Sequence, residues 1–248
     1  MKNRIDSCQY LKGNDLLKMI RRFIRLLFLS LGLIFIGVGF TTAYVTDRAS
    51  VVNNTYFTGN IEPPKPQPGE IIINEVMWMG SKDLGVPAYD GPKDQWIELK
   101  NVSNRDLHRK GLYLTYLDNS GVERALYTVK DNQVIKAGEF MLLTHYIKNN
   151  SAININPDET GINNFDINRF QIRLYADSSK SVLIDTAGDG TGLPQKGDAI
   201  NFYSMQRNAI PGDGSSYTNW HTCVNPLTTG LYWKSGRIER GTPGGENV

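Results

Sequence analysis

From residue 70 onward the apolar positions fall in short runs rich in Val, Ile, Tyr and Phe, bounded by Gly, Asn, Asp and Ser. Within the runs they alternate with polar residues. In Trp96-Ile97-Glu98-Leu99-Lys100, Ile97 and Leu99 share one face and Glu98 and Lys100 the other. In Phe170-Gln171-Ile172-Arg173-Leu174-Tyr175, the residues Phe170, Ile172 and Leu174 point inward. The pattern predicts strands at 70–78, 94–101, 111–117, 124–129, 139–145, 170–176, 181–186 and 199–204. No segment here sustains an apolar period of 3.6, so helices are expected to be minor. Leu117–Gly121 and Ala176–Lys180 carry hairpin-loop chemistry. Short strands at hairpin spacing predict an all-β sandwich or barrel. Two connections are long, 79–93 and 146–169. The second holds seven Asn and is expected to be a surface excursion without its own core. Long loops on a rigid scaffold are where recognition concentrates, so both are candidate contact surfaces.

The pattern before residue 70 is of another kind. From Leu26 to Tyr44, 19 residues carry no charge, enough for a helix at 1.5 Å per residue to reach across a bilayer core of about 30 Å. Arg21, Arg22 and Arg25 precede the run and Asp47 follows it, which places the N-terminus inside and the remainder outside. Two readings stand. The run is a signal peptide cut between Ala43 and Tyr44, after the small residues Thr41-Thr42-Ala43, or it is an uncleaved transmembrane anchor. Translation starts at Met1 or at Met19. Glu62–Gly69 has four prolines in eight residues and is expected to be an extended spacer. The organisation is therefore a basic n-region 1–25, the apolar run 26–44, a Pro-rich linker 45–69 and a domain 70–248.

Charge sharpens this division. The net charge of +2 splits into +5 over residues 1–68 and −3 over 69–248. A mildly acidic domain argues against an electrostatic grip on nucleic acid, which needs clustered Lys and Arg. Cys8 and Cys223 are the two cysteines and flank the apolar run, so a disulfide framework is excluded and stability must come from apolar burial. Cys223 is expected to be a half-buried small apolar residue.

Candidate chemistry is sparse. His108, His145 and His221 are scattered, and neither His-x-x-x-His nor Cys-x-x-Cys spacing occurs, so no zinc site is expected. There is no Gly-x-Ser-x-Gly elbow and no Gly-x-x-x-x-Gly-Lys phosphate loop. No catalytic residue and no cofactor is assigned, and enzymatic activity is disfavoured. Glu75 and Glu98 lie on two strands that could be neighbours, where paired carboxylates bind calcium, share a proton, or accept hydrogen bonds from nearby groups. Asp185-Thr-Ala-Gly-Asp-Gly-Thr-Gly superficially suggests a calcium loop through Asp185 and Asp189, but it lacks the alternating acids and distal Glu and is better read as a plain Gly-rich turn. Trp220 and Trp233 are a candidate aromatic contact platform, the alternative being that each anchors a loop to the core.

Six short motifs occur in order: Ile71-Ile-Ile-Asn-Glu-Val-Met-Trp78, Asp94-Gln-Trp-Ile-Glu-Leu99, Ile135-Lys-Ala-Gly-Glu-Phe-Met-Leu-Leu143, Ser204-Met-Gln-Arg207, Asn219-Trp-His221 and Gly241-Thr-Pro-Gly-Gly-Glu-Asn247. Together they resemble the bacterial lamin tail domain over essentially all of 70–248, with Leu112 departing from the family's Trp. The resemblance implies an immunoglobulin-like β-sandwich used as an accessory domain in surface, adhesive or nucleic-acid-associated proteins, and implies no reaction. Ala43-Tyr-Val-Thr-Asp47 and Asn54-Thr-Tyr-Phe-Thr-Gly-Asn-Ile61 are similar to the leader junction of camelysin and TasA-type exported proteins, which implies export and processing by a dedicated signal peptidase. The expected function is an exported, cell-surface binding or structural module whose partner is an extracellular protein or polysaccharide, held on the membrane through 26–44 if uncleaved. A secreted fibre or matrix subunit freed by cleavage near Ala43, and an accessory to extracellular nucleic acid or a hydrolase, are the alternatives.

Overall fold

Twelve strands and three single-turn 3₁₀ segments make up a computed structural model that describes residues 64–85, 91–225 and 230–248. The basic segment 1–25, the apolar run 26–44, the Ala43–Tyr44 cleavage position and the linker as far as residue 63 lie outside the described residues. The described residues belong to one unit of the chain, Ile61–Val248. Among them no helix is long and apolar enough to cross a membrane.

The strands are β1 (Ile71–Met77), β2 (Trp96–Asn101), β3 (Leu107–His108), β4 (Tyr113–Leu117), β5 (Glu123–Thr128), β6 (Val134–Ile135), β7 (Phe140–Thr144), β8 (Glu159–Thr160), β9 (Ile172–Tyr175), β10 (Leu183–Ala187), β11 (Met205–Arg207) and β12 (Trp220–Thr222). Six of them form one sheet in the order β12-β11-β1-β2-β7-β8, and four form a second, β10-β9-β4-β5; β3 pairs with β6. All pairings are antiparallel except β7 with β8. Ile73, Val76, Ile97 and Leu99 of the large sheet share one buried cluster with Leu114, Ile172 and Leu174 of the small one. The fold is thus an all-β, two-layer sandwich, and the period-two alternation over β2 and β9 faces the core as expected.

Most predicted strands exist within a few residues, but 199–204 is not a strand. There the Asp198 carboxylate accepts the amide protons of Ile200 and Asn201, and Phe202 takes a left-handed φ of 59°, so the chain turns and leaves Ile200 85% exposed. The strand begins only at Met205. Four very short strands, β3, β6, β8 and β12, go beyond the prediction. The segment 146–169 is also not a coreless excursion. Ala152, Ile153, Ile162 and Phe165 are buried, and its asparagines act as fasteners: Asn163 N–H donates to Leu126 O and Asn164 Nδ2 to Lys93 O.

The outer face of the large sheet is covered as well. Met77, Trp96 and Leu142 pack there with Ala152, Ile153 and Trp233, forming a second apolar cluster. Farther along the same face lies residues 241–247, a C-terminal strap. Every residue of β1 is therefore buried, although only alternate positions meet the inter-sheet core.

Strand directions give the sandwich two poles. At one, the Pro-rich segment arrives and docks: Pro66 is buried, Gly69 N–H donates to Ile184 O, Lys65 pairs with Asp177, and Glu70 holds Arg105 through bonds of 2.6 and 2.9 Å. The last part of the linker thus belongs to the domain and is not a free spacer. β1 runs from this pole, and β2 returns to it, where Val102 N–H donates to Glu70 O. At the opposite pole lie the end of β1, the start of β2, the β4–β5 turn and the approach to β9. At about 3.3 Å per residue the poles are about 20 Å apart.

Candidate functional site

The two long connections meet at the second pole. There a cleft of about 360 Å³ is floored by Trp78, Met79, Phe165 and Ile167 and rimmed by Asn119, Asp166 and Asn168. The buried Gln95, just before β2, builds it. Its Nε2 donates to Trp78 O (2.7 Å) and Phe165 O (3.1 Å), and its Oε1 accepts from Phe165 N (2.9 Å) and Asn164 Nδ2 (3.1 Å). One carboxamide therefore ties the end of β1 to the loop before β9 with all four of its hydrogen-bonding sites used. Trp78 is fixed by its Nε1–H bond to Lys196 O (2.9 Å). Asp166 Oδ2 accepts the Asn119 amide proton (3.1 Å), while the carboxamides of Asn119 and Asn168 make no hydrogen bond among the described residues. Among the described residues the lining has one carboxylate, Asp166, and no Lys or Arg.

The second feature is the pair Glu75 and Glu98, which stand directly opposite one another in the β1–β2 register. A β-bulge at Asn74 breaks the register and brings Asn74 and Glu75 onto the same covered face. Neither carboxylate has any exposed surface. Glu75 accepts from Ser204 Oγ, from Gln206 Nε2 (3.0 Å), and from the amide (3.0 and 3.1 Å) and hydroxyl (2.9 Å) of Thr242. Glu98 accepts from Asn74 Nδ2 (2.8 Å) and from Gly244 N–H. Burial pushes the Glu75 carboxyl above its ordinary range, against the pull of those donors. Glu98 is pushed well above it, by burial first and by the adjacent Glu75 charge second. The oxygens are met by N–H and O–H donors, so this is not an arrangement for a calcium ion; of the three readings of the pair, calcium binding loses its footing.

Asp185 and Asp189 do not form a loop site. The Asp185 oxygens hold Arg207 Nη2 at 2.8 Å each, and its Oδ2 also accepts from Ile73 N–H. Burial nevertheless raises its carboxyl, with the Arg207 charge opposing. Asp189 is exposed and closes a turn onto Thr191. Among the described residues no group of three His, Cys, Asp or Glu could hold a metal ion. Of the two readings of Trp220 and Trp233, the contact platform is set aside: each is 2% exposed, Trp220 bonded to Gly214 O and stacked on Arg207, Trp233 bonded to Gly241 O. Both are core anchors. Cys223 is fully rather than half buried, and burial pushes its thiol up to about 12, leaving it unreactive.

Sequence reasoning brought Glu75 and Glu98 together and named the two long connections that line the cleft, but missed the carboxylates' partners Ser204, Gln206 and Thr242, as well as Gln95 and Asn119. The signal for the partners was present in the Ser204–Arg207 and Gly241–Asn247 motifs, which converge on the pair. A scan against protein-family models finds no match, and a search of curated proteins finds none either.

Proposed function

We propose that this chain is an exported, non-enzymatic binding module of the lamin-tail, immunoglobulin-like kind, which holds its second pole out to a partner in the envelope or beyond. The observation that carries the reading is the placement of chain and cleft. The Pro-rich segment docks at one pole through Pro66, Gly69 and Glu70, and the cleft of Met79, Phe165 and Ile167 opens at the other. A domain attached by its linker presents the cleft on the far side. Attachment is through residues 26–44 when the leader stays uncleaved; cleavage between Ala43 and Tyr44 releases the same module. The apolar floor, free carboxamides and single carboxylate suit a neutral or basic protein segment or a neutral polysaccharide, and disfavour nucleic acid.

The test has two arms. Protease added to intact producing cells should remove the domain, and N-terminal sequencing should find either Tyr44 or an intact leader. Labelled protein should be retained on the producer's envelope or matrix fraction, with Ile167→Asp losing at least tenfold in retention and Lys65→Ala, at the other pole, losing nothing. A protease-resistant, internal protein, or equal retention of both variants, would sink the reading.

A further inference from the structure

Two carboxyl groups facing each other without water cannot both ionise cheaply, because each charge loses its hydration and repels the other. The donors are divided unequally. Glu75 is met by four donor groups, the Ser204 hydroxyl, the Gln206 carboxamide and the amide and hydroxyl of the strap's Thr242, whereas Glu98 has Asn74 and the strap's Gly244. Glu75 therefore has the fuller set of donors for a negative charge and Glu98 the poorer one. The cover over both is the strap. Gly241 is packed so closely that a Cβ there would lie 2.8 Å from Glu75 Oε1, and Gln206 Nε2 pins Thr242 Oγ1 at 2.8 Å. Beside the strap lies a cavity of about 240 Å³ bordered by Asn74, Lys100, His221, Glu246 and Asn247. Asn74, the group that bonds Glu98, lies on its lining.

We propose that Glu75 and Glu98 hold one proton between them, seated on Glu98, and that its loss releases residues 241–247 from the outer face of the large sheet. The strap is thus a latch set by external pH. When both groups are ionised, the pair needs water, and lifting the strap is the movement that admits it. The other charged and titratable groups around the pair are few. From β2, Lys100 is paired with Glu246 of the strap at 2.6 Å. From the last strand, His221 reaches the pair only through Gln206, to which its Nε2 lies at 3.2 Å. Cys223 and Tyr232 are raised by burial first and by the Glu75 charge second, Glu98 also acts on Tyr232, and Arg240 opposes the shift of Cys223. Lys100 favours ionisation of Glu98, but burial and the Glu75 charge are the larger influences.

The experiment is hydrogen exchange of the full-length protein, read on peptides covering 241–247 and corrected for the intrinsic pH dependence of amide exchange. Release of one proton per opening makes the opening constant rise about tenfold per pH unit between the ordinary glutamate range and the pair's raised range, and level off above it. Protection of 241–247 should fall with that slope while peptides from β4 and β9 stay protected. Glu98→Gln, neutral at every pH and still able to meet Gly244, should keep the strap protected throughout. His221→Asn should leave the wild-type slope unchanged. Infrared spectra should show a protonated carboxylic acid above the ordinary glutamate range that persists in Asp94→Asn and in Asp185→Asn, which tests the proton even if Glu98→Gln does not fold. Strap protection independent of pH, a slope retained by Glu98→Gln or abolished by His221→Asn, or no protonated acid band would each overturn the proposal.

Discussion

The side chain of Arg207, on β11, is completely buried where it meets Asp185 of β10, a position that a guanidinium tolerates only when its charge is matched. Asp185 supplies the charge, and the Trp220 ring, 4.6 Å away, supplies a face on which the planar group stacks. Asp185→Ala should therefore cost about 3–5 kcal/mol in urea unfolding, because it leaves an uncompensated buried charge. The double variant Asp185→Leu/Arg207→Met should recover much of that loss, since apolar replacement of both partners removes the desolvation penalty as well. Gly214 sits against the same arginine: a Cβ there would lie 1.7 Å from Thr186 O and 2.0 Å from Arg207 Nη1, so Gly214→Ala should lower the unfolding midpoint sharply or prevent folding. At this scale the sequence was informative about facing and silent about partners. Alternation placed Ile97 and Leu99 against the core. Nothing local says that Asp185 meets an arginine 22 positions later, because that contact exists only once β10 and β11 are brought together.

Among the elements, length decided what could be read in advance. β1, β2, β4, β5, β7 and β9 carry four to seven residues, enough alternation to announce themselves. β3, β6 and β8 have two residues each and exist by pairing alone, which no local pattern encodes. The false strand at 199–204 arose from Ile200 and Phe202, apolar residues that sit in a turn fixed by Asp198. The strap and the preceding segment were legible only as a motif. Their role as a cover follows from Trp233, which meets Trp96 with ring centroids 6.3 Å apart. Trp233→Ala should cost about 3–5 kcal/mol, measured by denaturant unfolding, since it empties the centre of the second apolar cluster. At the docking pole the sign of pH dependence is opposite to that of the buried pair. Arg105 holds Glu70 below its ordinary range, so that contact is present above the ordinary glutamate range and is lost as pH falls through the lowered value. Acid should therefore loosen the Pro-rich segment first, seen as faster proteolysis near residue 65 while the sandwich remains folded.

For the molecule as a whole, the buried carboxyls dominate its response to alkali. Glu75, Asp94, Glu98 and Asp185 are all raised, burial being the first cause for each. Their folded forms bind protons more tightly than the unfolded chain, so the stability they contribute is complete below the ordinary carboxylate range and declines as pH rises through the raised values. Urea midpoints should be lower at about pH 8 than at about pH 5, and Glu98→Gln should flatten the difference. The coarse architecture was legible because two β-layers need only alternation and turns. The two long connections were legible as contact candidates, but the cleft between them was not, because its floor joins Trp78 and Met79 to Phe165 and Ile167, stretches far apart in sequence that meet through a single glutamine.

The separation of docking pole and cleft has a mechanical consequence. A partner that tugs on the cleft while the Pro-rich segment is held applies tension along the strands. Ladder hydrogen bonds in an antiparallel sheet run across that direction, so β1 and its neighbours are loaded in shear, with their bonds sharing the force and not breaking one after another. Such a geometry suits a joint that must survive drag.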